Sequence, residues 1–381
     1  MRLSPVLTAT GTYPFVKLDQ AKRRLAAEGV ELIDFGKGDP REATDPLIRA
    51  ALVDSLRETS TYPLAEGLPE LRQSIAGWCG HRFGIELDPD TEIVPTYGSK
   101  EAIFSLAQVV DVTGDKRLVL TTEPGYPVPD RGAAFAGADV LRLPLLEANG
   151  FLPDLDALDE ETLTRTAIFW INYPNNPTGA VAPLAFLERL SRLALEYDFV
   201  AASDEAYTEL WFDAPPHSAL EVADRTNVAV FNTLSKRSSM TGYRSGFVAA
   251  APELIAALKQ FRPTVGTAPQ EFVQHASVAA WNDEAHVGRT REIYRRKREI
   301  LLDVLGRKGI RVAGSEATMY LWLEVPGGSS SEEFAEHLLE RGLIVSPGSF
   351  FGEAGEGYWR MALVPTEAEC RRAAEILEEA L

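Results

Sequence analysis

Short apolar runs alternate with helical patterns through most of this chain. Between about residues 41 and 260, the runs 92–95, 117–121, 167–172, 199–203, 227–231 and 246–250 have the length and β-branched content of buried strands. Between them, helical spacing is found at 68–83, 100–110 and 184–197, among others. Strand and helix alternating in this order predict an α/β unit built on a mostly parallel sheet. A long Arg- and Lys-rich helical pattern follows over 286–307, with Gly309 as its stop, and reads as a solvated connector. Beyond it a smaller α+β unit is expected, with strands near 319–323 and 358–363 and helices near 331–341 and 367–380. Residues 1–40 form an arm and part of the smaller unit. The expected division is therefore 1–40, 41–285 and 286–381, and 381 residues exceed the usual size of one domain.

Charge narrows the partners. With 38 Lys and Arg against 56 Asp and Glu, the net charge is −18, which argues against nucleic acid, since phosphate backbones need a basic surface. A small anionic substrate needs only a locally basic pocket and stays open. Two cysteines, Cys79 and Cys370, allow no disulfide framework, and His81, His217, His275, His286 and His337 show no metal-ligand spacing, so no metal is expected. No stretch reaches the roughly 20 apolar residues of a membrane helix and the start has no apolar signal region, so the expected location is the cytoplasm.

The candidate chemistry lies where apolar runs end, because open α/β sheets gather ligands at the carboxyl ends of their strands. Lys236 stands in the hydroxyl-rich stretch Asn232-Thr-Leu-Ser-Lys-Arg-Ser-Ser-Met-Thr-Gly-Tyr-Arg-Ser-Gly246, just past such a run. A buried lysine near another cation loses part of its ordinary pKa of about 10.4 and can condense with an aldehyde. Thr233, Ser235 and Arg244 beside it can hold a phosphate, and an aldehyde carrying a phosphate suggests pyridoxal 5'-phosphate. An exposed Ser-Lys on a loop is the plain alternative.

Other strand ends carry matching groups. Tyr173-Pro-Asn-Asn-Pro-Thr-Gly179 can aim the Asn176 amide at a ligand, or be only a turn. Asp204, in Ser203-Asp-Glu-Ala-Tyr207, can keep a heterocycle nitrogen protonated, with Tyr207 donating to a neighbouring oxygen; a helix-capping aspartate is the alternative. Gly98, Ser99 and Lys100, between a strand and a helix, present backbone N–H groups suited to an anion or to simple capping. Tyr126, after another strand, can stack on an aromatic ring. Arg360 is a charge inside an apolar strand, where it needs a carboxylate partner from the protein or from a substrate.

Together these segments resemble the class I/II aminotransferases of pyridoxal phosphate fold type I. The resemblance runs from Gly38 to Arg360 in the family's order. It includes Gly36-Lys-Gly-Asp-Pro40, Tyr62-Pro-Leu-Ala-Glu-Gly-Leu-Pro-Glu-Leu-Arg72 and Gly242-Tyr-Arg-Ser-Gly246. It implies a large domain with a mostly parallel central sheet plus a smaller α+β domain. Lys236 would then be the lysine that takes the cofactor aldehyde and shuttles the proton, and Asp204 the partner of the pyridine nitrogen. Asn176 and Tyr207 would contact the ring's 3'-oxygen, while Ser99, Lys100 (through its backbone), Thr233 and Arg244 bind phosphate and Tyr126 stacks. Arg360, with the backbone at Gly38, would clamp the α-carboxylate, and Tyr62 would reach the phosphate of a neighbouring subunit in a homodimer.

Two departures, Lys37 between the glycines and Arg237 after the lysine, suggest readers of a second acidic group, as does Arg262. Within the family, 35–40, 233–244 and 261–263 look most similar to the N-succinyldiaminopimelate aminotransferases of lysine biosynthesis, which use glutamate as donor. An aspartate or broad-specificity aminotransferase, or a cystathionine or cysteine-conjugate β-lyase sharing the same cofactor contacts, are the alternatives.

Overall fold

The computed structural model describes residues 1–9, 22, 24, 27 and 29–381. Its centre is a seven-stranded sheet. The strands are β2 (Ile93–Thr96), β3 (Leu118–Glu123), β4 (Asp139–Pro144), β5 (Thr166–Asn172), β6 (Val200–Asp204), β7 (Val228–Thr233) and β8 (Gly246–Ala250), in spatial order β2-β8-β7-β6-β5-β3-β4. β3 to β7 pair in parallel, and β8 runs antiparallel to both its neighbours. The interior strands are largely apolar because helices cover both faces, as parallel sheets require, and turn polar at their carboxyl ends, at Glu123, Asn172, Asp204 and Thr233. The two-residue alternation of a strand divides the core: Leu118, Leu120, Phe169 and Ile171 face one cluster, and Val119, Ile168 and Trp170 the other. All six strands predicted for this sheet are present within two residues at each end. The edge strand β4 was not predicted, since Asp139, Leu141 and Arg142 are exposed and give it no apolar run.

A second body of structure surrounds β9 (Val312–Gly314), β10 (Tyr320–Glu324), β12 (Ser346–Pro347) and β13 (Tyr358–Ala362), an antiparallel sheet ordered β12-β13-β10-β9. The short β1 (Ile33–Asp34), near the amino terminus, pairs in parallel with β11 (Leu343–Ile344). Residues around position 35 thereby join the second core, in which Phe35 packs with Leu321, Trp359 and Met361. No helix among the described residues is long and apolar enough to cross a membrane.

The basic helix Ala285–Arg307 departs from the solvated connector expected of it. One face is interior: Val287, Tyr294, Leu301, Val304 and Leu305 are buried, and Lys297 is 2% exposed. Lys297 Nζ binds Glu42 and the Leu363 carbonyl, and Glu42 also accepts from Tyr294 Oη at 2.8 Å. Many of its arginines, by contrast, stand outside in ion pairs, such as Arg289 with Asp45 and Arg307 with Glu378. Removing one partner of a buried pair strands the other. Lys297→Met should therefore cost about 3 kcal/mol in denaturant unfolding, whereas exposed Arg307→Ala should cost under about 1 kcal/mol. Equal costs would show that Lys297 is not an interior charge.

Candidate active site

Parallel register carries the chemistry to one place. Asn172 pairs with Asp204 across β5 and β6, so the adjacent strands end level with each other. β7 ends at Thr233, whose hydroxyl caps the single helical turn Leu234–Arg237 by accepting the Ser235 N–H at 3.2 Å. That turn lifts Lys236 just beyond the strand end, and its Nζ donates to the Gly38 carbonyl. Burial lowers the ammonium pKa to about 8; nearby Asp39 opposes this, while Arg360, Arg244 and Lys100 reinforce it. Lys236 is thus close to the titration a reactive amine needs near neutrality.

An anion cradle lies on one side. Gly98, at φ 71°, starts the helix Ser99–Val109, whose first backbone N–H groups have no partner within the helix. A Cβ on Gly98 would sit 2.3 Å from Arg244 Nη2, so only glycine lets that guanidinium lie on the helix start. Gly246 is equally constrained, its Cβ position being 2.5 Å from the Asn232 carbonyl and 3.0 Å from the Ser99 nitrogen. The Thr233 hydroxyl lies 2.9 Å from both Ser235 Oγ and the Ser245 carbonyl. Cation, helix start and hydroxyls make a site for a phosphate. The Lys100 side chain, expected to matter only through its backbone, also lines the cavity, with Nζ 5.6 Å from the centre of the Tyr126 ring.

The opposite side suits a protonated ring nitrogen. Asp204 is buried, and its one hydrogen-bonded donor among the described residues is the Ala206 N–H at 3.3 Å. Burial pushes its carboxyl up to about 7, only partly offset by that bond and by Lys236. A buried acid so poorly matched by the protein fits a cationic N–H from a cofactor. Tyr207 Oη is 2.9 Å from Tyr320 Oη, and burial holds its phenol well above the ordinary range, so it remains a donor. Tyr320 also explains Gly38: a Cβ there would fall 2.0 Å from the Tyr320 oxygen.

Arg360, in β13, reaches this cavity from the second sheet. Its Nη1 donates to Asn176 Oδ1 at 2.8 Å and its Nη2 to the Gly36 carbonyl at 2.7 Å. The guanidinium carbon lies 4.2 Å from the Tyr320 ring centre and 4.5 Å from that of Phe351. This sandwich holds a planar fork suited to a carboxylate. The cavity has a volume of about 1300 Å³, and Lys37, Gly38, Ser99, Tyr126, Asn176 and Thr233 also line it.

Two expectations are corrected. Arg237 does not line the cavity: it is 1% exposed, packs against Trp78 and Trp281, and binds Glu284 and the Ala280 carbonyl. Arg262 is fully buried and donates to Glu101 at 3.0 Å and to the Ala65 carbonyl at 2.6 Å. Both are occupied inside the protein and neither can read a substrate carboxylate. Tyr62 is 98% exposed and stands outside this chain's own cavity. Sequence reasoning missed Tyr320, Phe351, Asp39, Arg131 and Arg142 as lining residues. Tyr320 and Phe351 read as ordinary core aromatics, and only the fold brings them to Arg360.

Known proteins share this arrangement. The sequence profile of "Aminotransferase class I and II" matches residues 30–377. The LL-diaminopimelate aminotransferase of Halothermothrix orenii is 38% identical over 372 residues, covering 96% of this chain and 95% of that protein. A crystal structure of an aminotransferase from Neisseria meningitidis superposes with a TM-score of 0.91 at 36% identity, covering 99% of both chains. A structure described as a probable N-succinyldiaminopimelate aminotransferase from Thermus thermophilus gives 0.89 at 31% identity, covering 96% of this chain and all of that one. The chain belongs to the class I and II aminotransferases, and it is an enzyme of that family with pyridoxal 5'-phosphate as its cofactor.

Proposed function

We propose that this enzyme moves an amino group between glutamate and the oxo acid of N-succinyl-LL-diaminopimelate, in the cytoplasm and as a homodimer. The observation that carries this reading is a contrast of charge. A chain of net charge −18 lines one cavity, among the described residues, with seven cationic side chains against three carboxylates. A bound cofactor phosphate answers part of that excess, and the remainder favours a substrate with more than one carboxylate. Lys37 and Arg131 extend the cationic lining beyond Arg360, while Arg142 there is paired with Asp130 at 2.6 Å. The names of the relatives support a diaminopimelate substrate, and the Thermus structure's description supports its succinylated form.

In this reading Arg244, Thr233, Ser235 and the backbone of Gly98, Ser99 and Lys100 hold the phosphate. Tyr62 reaches the phosphate across the dimer interface. Tyr126 stacks on the ring, Asp204 holds the proton on its nitrogen, and Asn176 and Tyr207 contact its phenolic oxygen. When bound, the cofactor supplies an electron-accepting ring that weakens the Cα–H bond of an amino acid. With the cofactor held there, Lys236 would be the base that takes the Cα proton of the amino acid, and its protonated form the acid that gives it back. Arg360 fixes the α-carboxylate so that the Cα–H bond faces Lys236.

The test is steady-state transamination by the purified enzyme with 2-oxoglutarate as acceptor. N-succinyl-LL-diaminopimelate should exceed aspartate in kcat/KM by at least about 10-fold, the worth of one added charge-assisted contact. Preference for unsuccinylated LL-diaminopimelate would overturn the succinyl assignment and leave a diaminopimelate transaminase. Pyruvate released from cystathionine without any acceptor would favour a lyase. Arg360→Lys keeps the charge and loses the fork. It should raise KM for glutamate by about 30-fold or more, with a smaller fall in kcat, and an unchanged KM would remove Arg360 as the carboxylate clamp.

A further inference from the structure

Beyond the cavity, and used by none of the roles above, a chain of polar groups, buried at Arg237, Ser238 and His286 and half-buried at Asp283, fastens the turn that carries Lys236. Ser238 ends that turn, giving its N–H to the Leu234 carbonyl at 3.0 Å. Its hydroxyl, in a residue 2% exposed, lies 2.8 Å from His286 Nε2. The other ring nitrogen of His286 is 2.7 Å from Asp283 Oδ2, and the same oxygen accepts the His286 backbone N–H at 2.8 Å. Arg237 completes the set: its Nη1 lies 3.3 Å from Ser238 Oγ and also donates to the Ala280 carbonyl, its Nη2 binds Glu284, and two tryptophans pack against the guanidinium. The segment 280–286, joining two helices, is therefore bolted to residues 237 and 238.

The donors and acceptors match in one way. With neutral His286, Nδ1–H donates to the Asp283 carboxylate and leaves a lone pair on Nε2. Ser238 donates to that lone pair and accepts from Arg237 Nη1. A proton on Nε2 would reverse the Ser238 hydroxyl and set a second cation beside Arg237. Burial lowers the His286 pKa first, with Arg237 adding to this, while Asp283 and Asp45 oppose it. Asp45 faces the ring from the start of the helix Pro46–Asp54 and is itself paired with Arg289, while Glu284 is committed to Arg237.

We propose that Asp283, His286 and Ser238 form a positioning relay that holds the Lys236 turn in its reactive geometry. His286 and Ser238 touch neither substrate nor cofactor; they act through the backbone of 236–238. A misplacement of the amine is expensive because proton transfer demands hydrogen-bond reach. The inference rests on Lys236 being the reactive amine, not on the choice of substrate, so it is tested with glutamate.

The experiment compares Ser238→Ala, Ser238→Thr, His286→Gln and the Ser238→Ala/His286→Gln double variant as holoenzymes. The apoenzymes are labelled in parallel with an amine-acetylating reagent, and Lys236 modification is followed against pH by mass spectrometry. A relay predicts that kcat falls about 10-fold in Ser238→Ala and His286→Gln, short of the roughly 100-fold that a 1 Å displacement costs. KM should stay within about twofold. The double variant should be no worse than either single one, because both break the same chain. Ser238→Thr, which keeps the hydroxyl, should keep kcat, and the labelling midpoint of Lys236 should rise in Ser238→Ala as the turn loosens and admits water. Additive losses, an unchanged kcat, or a Lys236 midpoint that does not move would overturn the proposal. If His286→Gln does not fold, the alanine and threonine variants of Ser238 decide the matter alone.

Discussion

Lys236→Ala should abolish transamination, lowering kcat by at least about 10⁴-fold, the upper range for a positioned acid–base group. No neighbour among the described residues can substitute. Lys100 lies over Tyr126 beside the phosphate cradle, and Lys37 belongs to the segment preceding Asp39. The other cations among the described lining residues are arginines, whose guanidinium stays protonated and cannot act as a base. The variant should also lose the visible absorbance that the covalent link to Lys236 gives the bound cofactor, while still binding the cofactor through the cradle at Gly98, Ser99 and Arg244. Stability should not fall. Burial depresses the Lys236 pKa from 10.5 to about 8, so below about 8 the folded protein holds a buried charge that the unfolded chain would keep in water. Between about 8 and 10.5 the unfolded state binds more protons, and stability attributable to this group rises with pH across that window. Removing the amine should therefore leave the apoprotein as stable as the parent or more so at pH 7, by thermal unfolding. A variant that keeps its absorbance and its turnover would dismiss Lys236 as the reactive amine.

The sequence was most legible where one residue type does one thing. Lys236, Asp204 and Asn172 each follow an apolar run, and parallel strands in register bring their ends together, so three local signals became one site. Gly38, Gly98 and Gly246 were readable as motif glycines, but their reasons are tertiary: Tyr320, Arg244 and the Asn232 carbonyl occupy the space a Cβ would need. Arg237 and Arg262 misled because a charge in a functional motif looks the same whether it faces substrate or a protein carboxylate. Glu284 and Glu101, which bind them, lie 47 and 161 residues away. β4 and the buried face of the basic helix were hidden for a related cause: exposure of one strand face, or a surface of arginines, dilutes the apolar pattern that marks an element. The relay at Ser238 could not be read at all, since a serine, a histidine and an aspartate carry no signal until helix ends bring them within 3 Å.

Asp204→Asn is the sharper test of the electronic side of the site. The amide is nearly isosteric, can still accept the Ala206 N–H, and leaves Asn172 bonded to the unchanged backbone carbonyl of residue 204 at 2.8 Å. What it lacks is the negative charge proposed to keep a proton on the cofactor's ring nitrogen. Losing one partner of a buried charge pair costs about 2–5 kcal/mol, so kcat for glutamate should fall by roughly 30- to 5,000-fold. Lys236 and Arg360 remain in place, so KM should change far less. The apoprotein offers a second readout with the opposite sign. Burial raises the Asp204 pKa from 3.8 to about 7, so the stability this group contributes is fully present below about 3.8 and is lost as pH rises through about 7. The apoprotein should thus lose stability over that window, and the asparagine variant should lose less, by thermal unfolding between pH 4 and 8. Cofactor binding should flatten the parent's curve, because a cationic nitrogen compensates the ionised carboxylate. An asparagine variant with near-normal kcat, or an apoprotein whose pH dependence matches the parent's, would mean that Asp204 does not hold the charge the ring depends on.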